Sequence, residues 1–257
     1  MKIATFNVNS VRVRLEILLD WLAENEPDAL ALQEIKCEND KFPTEAFLEV
    51  GYHAAVLGQK SYNGVAILTK EPLSQVQYGF GDPTWPEDCR ILRGTVGGVR
   101  IINTYVPNGT KVGSEKWDYK LRWLEKIAEL IHQELQVNPN LVWLGDINVA
   151  PTADDVYDHT RLLGQVCHHP EEFSRLENIV KDRLVDVYRA QHQGAGHFTY
   201  WELFIKSAFP RNLGWRIDHI YASPSLAERC VNTHIDKGPR ALERPSDHTV
   251  VVAEFDL

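Results

Sequence analysis

Short apolar runs that end in polar residues recur along this chain. Leu141–Leu144 (L-V-W-L) predicts a buried strand, followed by Gly145, Asp146 and Asn148. Because side chains alternate between the faces of extended backbone, Asp146 and Asn148 are expected on the same side. Such a polar pair is costly at the end of a buried strand unless a ligand uses it, or an Asx turn closes the strand. Gly145 predicts a close approach of backbone or ligand.

The same patterning predicts the other elements. Further strands are expected in these ranges: Lys2–Val8, Asp28–Glu34, Tyr52–Gly58, Asn63–Thr69, Gln75–Gly81, Ile91–Val96, Val99–Val106, Gly214–Ser223 and the end of Arg244–Phe255. Helical spacing of apolar residues predicts a helix capped by Ser10, a long helix from Trp117 that ends before Pro139, and Phe173–Val180. No internal repeat or linker interrupts the pattern, so we expect one α/β domain over residues 1–257.

Composition narrows the class of protein. The chain has 257 residues, of which 44% are hydrophobic, enough for a sizeable core. Four scattered cysteines without C-x-x-C spacing argue against a zinc site or a disulfide framework and favour a reducing, cytoplasmic compartment. Neither a signal peptide nor a membrane span is predicted. The formal net charge of -9 argues mildly against nucleic-acid binding, although a basic rim around an acidic metal centre would suffice.

Polar residues at or near predicted strand ends form a candidate site. They are Asn7, Glu34, Tyr105, Asp146, Asn148, Asp218, Asp247 and His248. Oxygen ligands such as those of Glu34 and Asn7 suit Mg²⁺ or Mn²⁺, and Asp247-His248 is a plausible acid–base unit. No G-x-S-x-G or phosphate-loop sequence is present. The set predicts metal-assisted attack of water on a phosphodiester.

Each of these residues also has a plain structural interpretation. Glu34 alone is typical of a solvated strand end, and Tyr105 of a core or edge aromatic. Asn63-Gly64 is more often a turn than a ligand contact. Lys116 and Lys120 stand near the start of the long helix, where cations oppose the helix dipole. That position favours contact with an anion, or else a solvated helix face.

The motifs together resemble the exonuclease III / apurinic-apyrimidinic endonuclease family, within the wider endonuclease/exonuclease/phosphatase fold. The matching runs extend from residue 3 to residue 255: I-A-T-F-N-V-N-S, L-A-L-Q-E-I-K, Y-N-G-V-A-I-L-T, N-T-Y-V-P-N-G, W-L-G-D-I-N-V-A-P, G-W-R-I-D-H-I-Y-A-S and R-P-S-D-H. The resemblance implies a four-layer α-β-β-α sandwich of two packed mixed sheets. It also implies a Mg²⁺-dependent enzyme, in which Mn²⁺ substitutes, that acts as a monomer on double-stranded DNA at abasic sites or 3′ ends.

The resemblance also implies a role for each matching residue. Glu34 binds the metal, Asn7 helps to hold it, and Asp247 is a site acid that some schemes make a ligand. Asp146 aligns or deprotonates the attacking water, and Asn148 orients the phosphate. His248 contacts a phosphate oxygen and is held by Asp218, and Tyr105 lies against the phosphate or leaving group. Which of Asp146, Tyr105 and His248 moves the proton is left open by the sequence.

Substrate contacts follow from the same resemblance. The expected substrate-binding residues are Asn9, Asn63, Lys120, Tyr200, Trp201, Trp215 and Ile217, with Trp215 lining a pocket for a flipped-out abasic sugar. Core packing is an equal alternative for Trp201. Val166–Leu176 lacks the E-R-x-W pattern of the family, and Glu202–Leu213 differs in length from the bacterial type enzyme. A same-fold phosphatase or lipid phosphodiesterase, or a damage-binding protein without catalysis, are the rival interpretations.

Overall fold

The computed structural model describes residues 1–86 and 88–257. Its strands are β1 (Lys2–Asn7), β2 (Ala29–Gln33), β3 (His53–Leu57), β4 (Val65–Thr69), β5 (Ser74–Tyr78), β6 (Ile91–Val96), β7 (Val99–Tyr105), β8 (Leu141–Asp146), β9 (Val185–Asp186), β10 (Asp218–Ala222), β11 (Cys230–Asp236) and β12 (Val250–Phe255). Its helices are α1 (Leu15–Asn25), α2 (Thr44–Glu49), α3 (Glu115–Val137), α4 (His159–Leu162), α5 (Pro170–Val180), α6 (Val187–Gln191), α7 (Pro224–Ala227) and α8 (Gly238–Ala241). Short 3₁₀ turns lie at Asn39–Lys41 and Ala153–Asp155.

Two six-stranded mixed sheets pack face to face. Their strand orders are β11-β12-β1-β2-β4-β3 and β5-β6-β7-β8-β10-β9. Ile3 and Ile67 of the first sheet join Ile101 and Leu144 of the second in one buried cluster between them. The outer face of the first sheet packs against α1 and α2, and that of the second against α3 and α5. The predicted four-layer α-β-β-α sandwich is therefore confirmed.

The sequence pattern explains why the strands lie between these layers. In β1, Ile3 faces the opposite sheet, whereas Ala4 and Phe6 face the helical layer. Strands that are buried on both faces are apolar almost throughout, which is the pattern seen in β1, β2 and β8. Among residues 1–86 and 88–257, no helix has the length and apolar character needed to cross a membrane.

The loop after β1 differs from the prediction. The helix expected to follow a Ser10 cap begins at Leu15 without a side-chain cap. Ser10 has a φ of 95°, and its N–H donates to the Glu34 carbonyl at 2.8 Å. The prediction of a Ser10 cap is wrong because this residue joins the end of β1 to the end of β2 instead.

Strand direction brings the polar strand ends to one edge. β1 and β2 are parallel, as are β7 and β8, so their carboxyl ends lie on the same side. β10 and β12 run antiparallel to these strands and begin at that edge, where Asp218 stands opposite Asp146. Gly145 permits the close packing of β7 on β8, because a Cβ there would lie 2.0 Å from the Thr104 carbonyl oxygen. The close approach predicted at Gly145 is confirmed, and it is an approach of backbone.

Candidate active site

Two carboxylate side chains and one imidazole meet at this edge. Ligand atoms of Glu34, Asp146 and His248 all lie within 4.8 Å of one another, although these residues follow three different strands or loops. Carboxylate oxygens suit a hard divalent cation, and two carboxylates this close repel each other unless a positive charge lies between or beside them. The carboxylate pair therefore fits a site for a divalent metal ion. Asp247 does not belong to this group.

Asn7 aligns the two carboxylates. Its Nδ2 donates to Glu34 Oε1 at 2.9 Å and to Asp146 Oδ2 at 2.8 Å. Its Oδ1 accepts the Asn9 N–H at 3.1 Å, which fixes the orientation of the amide. Asn7 was expected to hold the metal; in this arrangement its oxygen is used within the protein, and its amide hydrogens face the carboxylates. Lys36 lies 2.8 Å from the second oxygen of Glu34.

His248 is held between two aspartates. Its Nδ1 donates to Asp218 Oδ2 at 2.8 Å, and its Nε2 lies 3.8 Å from Asp146 Oδ2. Burial lowers the pKa of His248, but the charges of Asp218 and Asp146 outweigh burial and raise it. Burial also raises the pKa of Asp146, an effect that the His248 charge opposes in part. The imidazole is therefore a fixed cation at neutral pH, and Asp146 is the carboxylate whose basicity is increased.

Tyr105 lies between this cluster and a cation. Burial, together with the charges of Glu34 and Asp146, raises the pKa of Tyr105 well above its usual value. The Arg90 guanidinium lies 4.6 Å from the centre of the Tyr105 ring and donates to its carbonyl. Arg90 is itself paired with Asp88 at 2.6 Å. The Tyr105 hydroxyl therefore keeps its proton, because burial and the neighbouring carboxylates disfavour the phenolate.

Hydrogen bonds within the protein orient Asn148. Its N–H donates to Asp146 Oδ1 at 3.0 Å, and its Nδ2 donates to the Val106 carbonyl at 2.9 Å. Its Oδ1 accepts from Asn108 Nδ2 at 3.0 Å. The φ of 51° places Asn148 in the left-handed region, which asparagine tolerates better than most residues.

Asp247 and Asn9 meet at the outer side of the cluster. Asn9 donates from Nδ2 to Asp247 Oδ1 at 2.9 Å, and its Oδ1 accepts from Lys36 at 2.5 Å. Arg14 donates to the carbonyls of Asn9 and Pro245, at 2.7 and 2.8 Å. This network fixes Asp247 and Asn9 to each other across two loops that are far apart in sequence.

A cavity of about 530 Å³ opens beside the cluster. Its lining includes the side chains of Glu34, Asp146 and His248. It also includes Tyr200, Trp215 and Ile217 from the predicted substrate contacts, together with the apolar side chains of Leu162, Val166 and Leu213. Tyr200 also packs against His248, with ring centres 5.0 Å apart. An apolar pocket next to a charged cluster is suited to a ligand with a phosphate and a small, weakly polar group.

A profile of the Endonuclease/Exonuclease/phosphatase family matches residues 4–248. The chain belongs to this family. Exodeoxyribonuclease III of Haemophilus influenzae is 34% identical over 268 residues, covering 99% of this chain and 100% of that protein. An AP endonuclease from Archaeoglobus fulgidus superposes with a TM-score of 0.96 at 43% identity, covering 100% of both chains. A 3′ phosphatase from Neisseria, solved with a product DNA hairpin, superposes with a TM-score of 0.97 at 40% identity, again covering 100% of both chains.

These comparisons confirm the family predicted from the motifs. Both segments that depart from the pattern expected in this family contribute to the cavity. Val166 and Cys167 come from the first segment, and Glu202, Ile205 and Leu213 from the second. The two segments that depart from the expected pattern therefore both supply residues to the wall of the cavity.

Four predicted substrate contacts do not line the cavity: Asn9, Asn63, Lys120 and Trp201. Trp201 is fully buried, packs 5.0 Å from Phe209 and donates from Nε1 to Asn212. The core-packing alternative is therefore correct for Trp201, and its assignment to substrate binding is wrong. Asn63 does not line the cavity either; its Nδ2 donates to the Asp88 carbonyl at 3.0 Å, which supports the turn that was its plain alternative.

Lys120 requires a further correction. Its side chain is fully buried and forms an ion pair with Glu172, so it presents no charge to DNA. Both earlier interpretations, an anion contact and a solvated helix face, are wrong because α5 covers this part of α3 and supplies the opposite charge.

The sequence reasoning also missed residues that the structure places around the site. They are Lys36, Arg90, Asn108 and Glu172. Two of them had a signal: Lys36 ends the run L-Q-E-I-K, and Asn108 lies in Y-V-P-N-G. Arg90 and Glu172 had no local signal, because their partners come from other elements.

Proposed function

We propose that this protein is a metal-dependent DNA-repair phosphodiesterase of the exodeoxyribonuclease III type. It cleaves the backbone 5′ to abasic sites, removes 3′-terminal nucleotides or blocking groups, or does both. The observation that carries the proposal is the convergence of Glu34, Asp146 and His248 within 4.8 Å beside an apolar cavity. The names of the relatives, an exodeoxyribonuclease, an AP endonuclease and a 3′ phosphatase, support DNA as the substrate.

A divalent cation, which we propose is Mg²⁺, would be held by Glu34, beside Asp146 and His248. When bound, it would neutralise charge that develops on the phosphate oxygens. His248 provides a second, fixed positive charge for a phosphate oxygen, and Asn148 orients the phosphate. Positive charge supplied by fixed groups costs no reorganisation during the reaction.

Asp146 is the residue that we propose accepts the proton of the attacking water. A general base works best when its pKa is close to the working pH, and burial raises the pKa of Asp146 in that direction. Tyr105 holds its proton too tightly to act as a base, since its pKa is raised well above 10. His248 is already protonated beside Asp218.

The substrate panel that tests this proposal compares four duplexes. They carry an abasic site, a recessed 3′ end, a 3′-phosphate or no damage, and each is incubated with Mg²⁺ and with a chelator. We expect chelator-sensitive cleavage of at least one of the first three and little cleavage of undamaged internal bonds. Activity confined to a small phosphate ester or a lipid would support the same-fold alternative. Tight binding to abasic DNA without cleavage would support a damage-binding protein.

Trp215 provides a test of the pocket. Trp215→Ala is expected to lower kcat/KM on the abasic duplex by about 10-fold to 100-fold, because the wall against the sugar is lost. Trp215→Phe retains an aromatic wall and should lose less. Thermal unfolding of both variants should show a smaller effect, since Trp215 is only partly buried. Equal rates for wild type and Trp215→Ala would assign Trp215 to packing alone.

We propose that the protein acts as a monomer. Sedimentation of the purified protein tests that expectation directly.

A further inference from the structure

A buried ion pair lies behind Asn148. The side chains of Lys120 and Glu172 are both fully buried, and the ammonium contacts Glu172 Oε1. Lys120 Nζ also donates to the carbonyl of Asn148 at 2.7 Å and to that of Asn108 at 3.1 Å. An ammonium has three hydrogens, and here each one has an oxygen acceptor. The cation is therefore fully used inside the protein.

Glu172 connects the same ammonium to the wall of the cavity. Its Oε1 accepts the Cys167 N–H at 3.1 Å, and its Oε2 accepts the His169 N–H at 3.1 Å. Cys167 lines the cavity next to Asn148. The pair thus joins α3, the start of α5 and the loops that carry Asn108, Asn148 and Cys167.

The position of this pair is informative because buried ion pairs are poor stabilisers. Removing two charges from water costs about as much as their attraction returns, and apolar residues often stabilise a protein equally well. Lys120 instead donates to the backbone carbonyls of Asn108 and Asn148, the two residues that a side-chain hydrogen bond joins. Because the Asn148 N–H donates to Asp146 Oδ1, a shift of Asn148 also moves the proposed base.

We propose that Lys120 and Glu172 are positioning residues, whose ion pair holds Asn148 and Asp146 in place for phosphodiester cleavage. This inference rests on the proposed function. It assigns to Lys120 no contact with DNA, and its effect is exerted through Asn148. Loss of the pair should therefore slow the chemical step while substrate binding is largely kept.

The experiment compares kcat and KM on an abasic duplex with Mg²⁺. Lys120→Met removes the ammonium but keeps the length of the stem. The double variant Lys120→Met/Glu172→Gln removes both charges, so no unpaired charge stays buried. For each variant, kcat is expected to fall by about 100-fold, since small misplacements of reacting groups have effects of this size. KM should stay within a few-fold of the wild-type value.

The matched control is Glu134→Gln in the same helix. Glu134 is buried and pairs with Arg93 at 2.7 Å and Arg100 at 2.9 Å. It lies 14 residues further along α3, about 21 Å at 1.5 Å per residue. We expect this variant to lose thermal stability as the Lys120 variants do, with kcat unchanged.

The outcomes separate the two proposals. An inactive wild-type chain would overturn the proposed function and the positioning role together. With an active wild type, an unchanged kcat in the folded double variant would overturn the positioning role alone. A rise in KM with kcat unchanged would overturn it in favour of direct DNA contact by Lys120. An equal loss of kcat in Glu134→Gln would reduce the effect to general destabilisation.

Discussion

The Glu34→Ala variant is expected to lose about 1,000-fold or more in Mg²⁺-dependent kcat while it stays folded. A cation that neutralises transition-state charge contributes several kcal/mol, and each 1.36 kcal/mol is a tenfold change in rate. Glu34 is partly exposed and is not part of the hydrophobic core of the first sheet, so its replacement by alanine leaves little cavity. In the wild type, Asn7 and Lys36 bond to the two carboxylate oxygens of Glu34. The substitution removes both of these contacts.

The measurement is a Mg²⁺ titration of the cleavage rate, with metal binding followed by calorimetry. If Glu34 holds the cation, the variant should need far more Mg²⁺ to reach its residual rate. Glu38→Ala is the control, because Glu38 lies four residues further along the same loop and forms an exposed pair with Lys41 at 3.5 Å. Full activity of Glu34→Ala at low Mg²⁺ would contradict the assignment.

The strands and the location of the site could be predicted from local sequence, whereas the four-layer arrangement followed only from the family resemblance. Apolar strands that end in polar residues define which end of each strand carries chemistry. Parallel pairing then brings those ends to one edge. This reasoning predicts Glu34 and Asp146 at strand ends, and the structure has them directly after β2 and at the end of β8. Asp218 is predicted inside the strand Gly214–Ser223, whereas in the structure it begins β10.

Strand β11 could not be predicted in this way. Cys230–Asp236 lies at the edge of its sheet with a largely exposed face, so its sequence lacks regular apolar alternation. Edge strands depend on the neighbouring strand for their conformation, here β12. Their own residues therefore carry a weak signal.

The predictions for Lys120 and Trp201 are wrong for a different reason. A lysine at the sixth position of an amphipathic helix is normally solvated. Here its burial depends on Glu172, which comes from α5. Trp201 lies next to Tyr200, which lines the cavity, yet the two side chains point in different directions. Which aromatic faces a ligand is decided by tertiary packing and not by composition.

Replacing Asp218 by asparagine is expected to lower kcat at about neutral pH by about 100-fold to 10,000-fold, the range of positioned acid–base groups. Asp218 is fully buried, and its Oδ2 accepts from His248 Nδ1. Asparagine has nearly the same shape, so the fold should survive. Because the negative charge is lost, the carboxamide no longer stabilises the imidazolium and can orient the ring incorrectly.

The pH dependence distinguishes lost charge from lost shape. In the wild type, burial lowers the pKa of His248, but the charges of Asp218 and Asp146 outweigh burial and raise it. Without Asp218 that pKa falls, so His248 is a cation only on the acidic side of the lowered value. The rate of the variant should therefore decline as the pH rises from about 6 to about 8, whereas the wild-type rate should show no such decline. Asp186→Asn is the control. Asp186 lies on β9, the strand next to β10, with its Oδ2 3.5 Å from His219 Nδ1, and it does not line the cavity. It should destabilise the fold and leave the pH profile unchanged; identical profiles for wild type and Asp218→Asn would mean that the charge of His248 takes no part in cleavage.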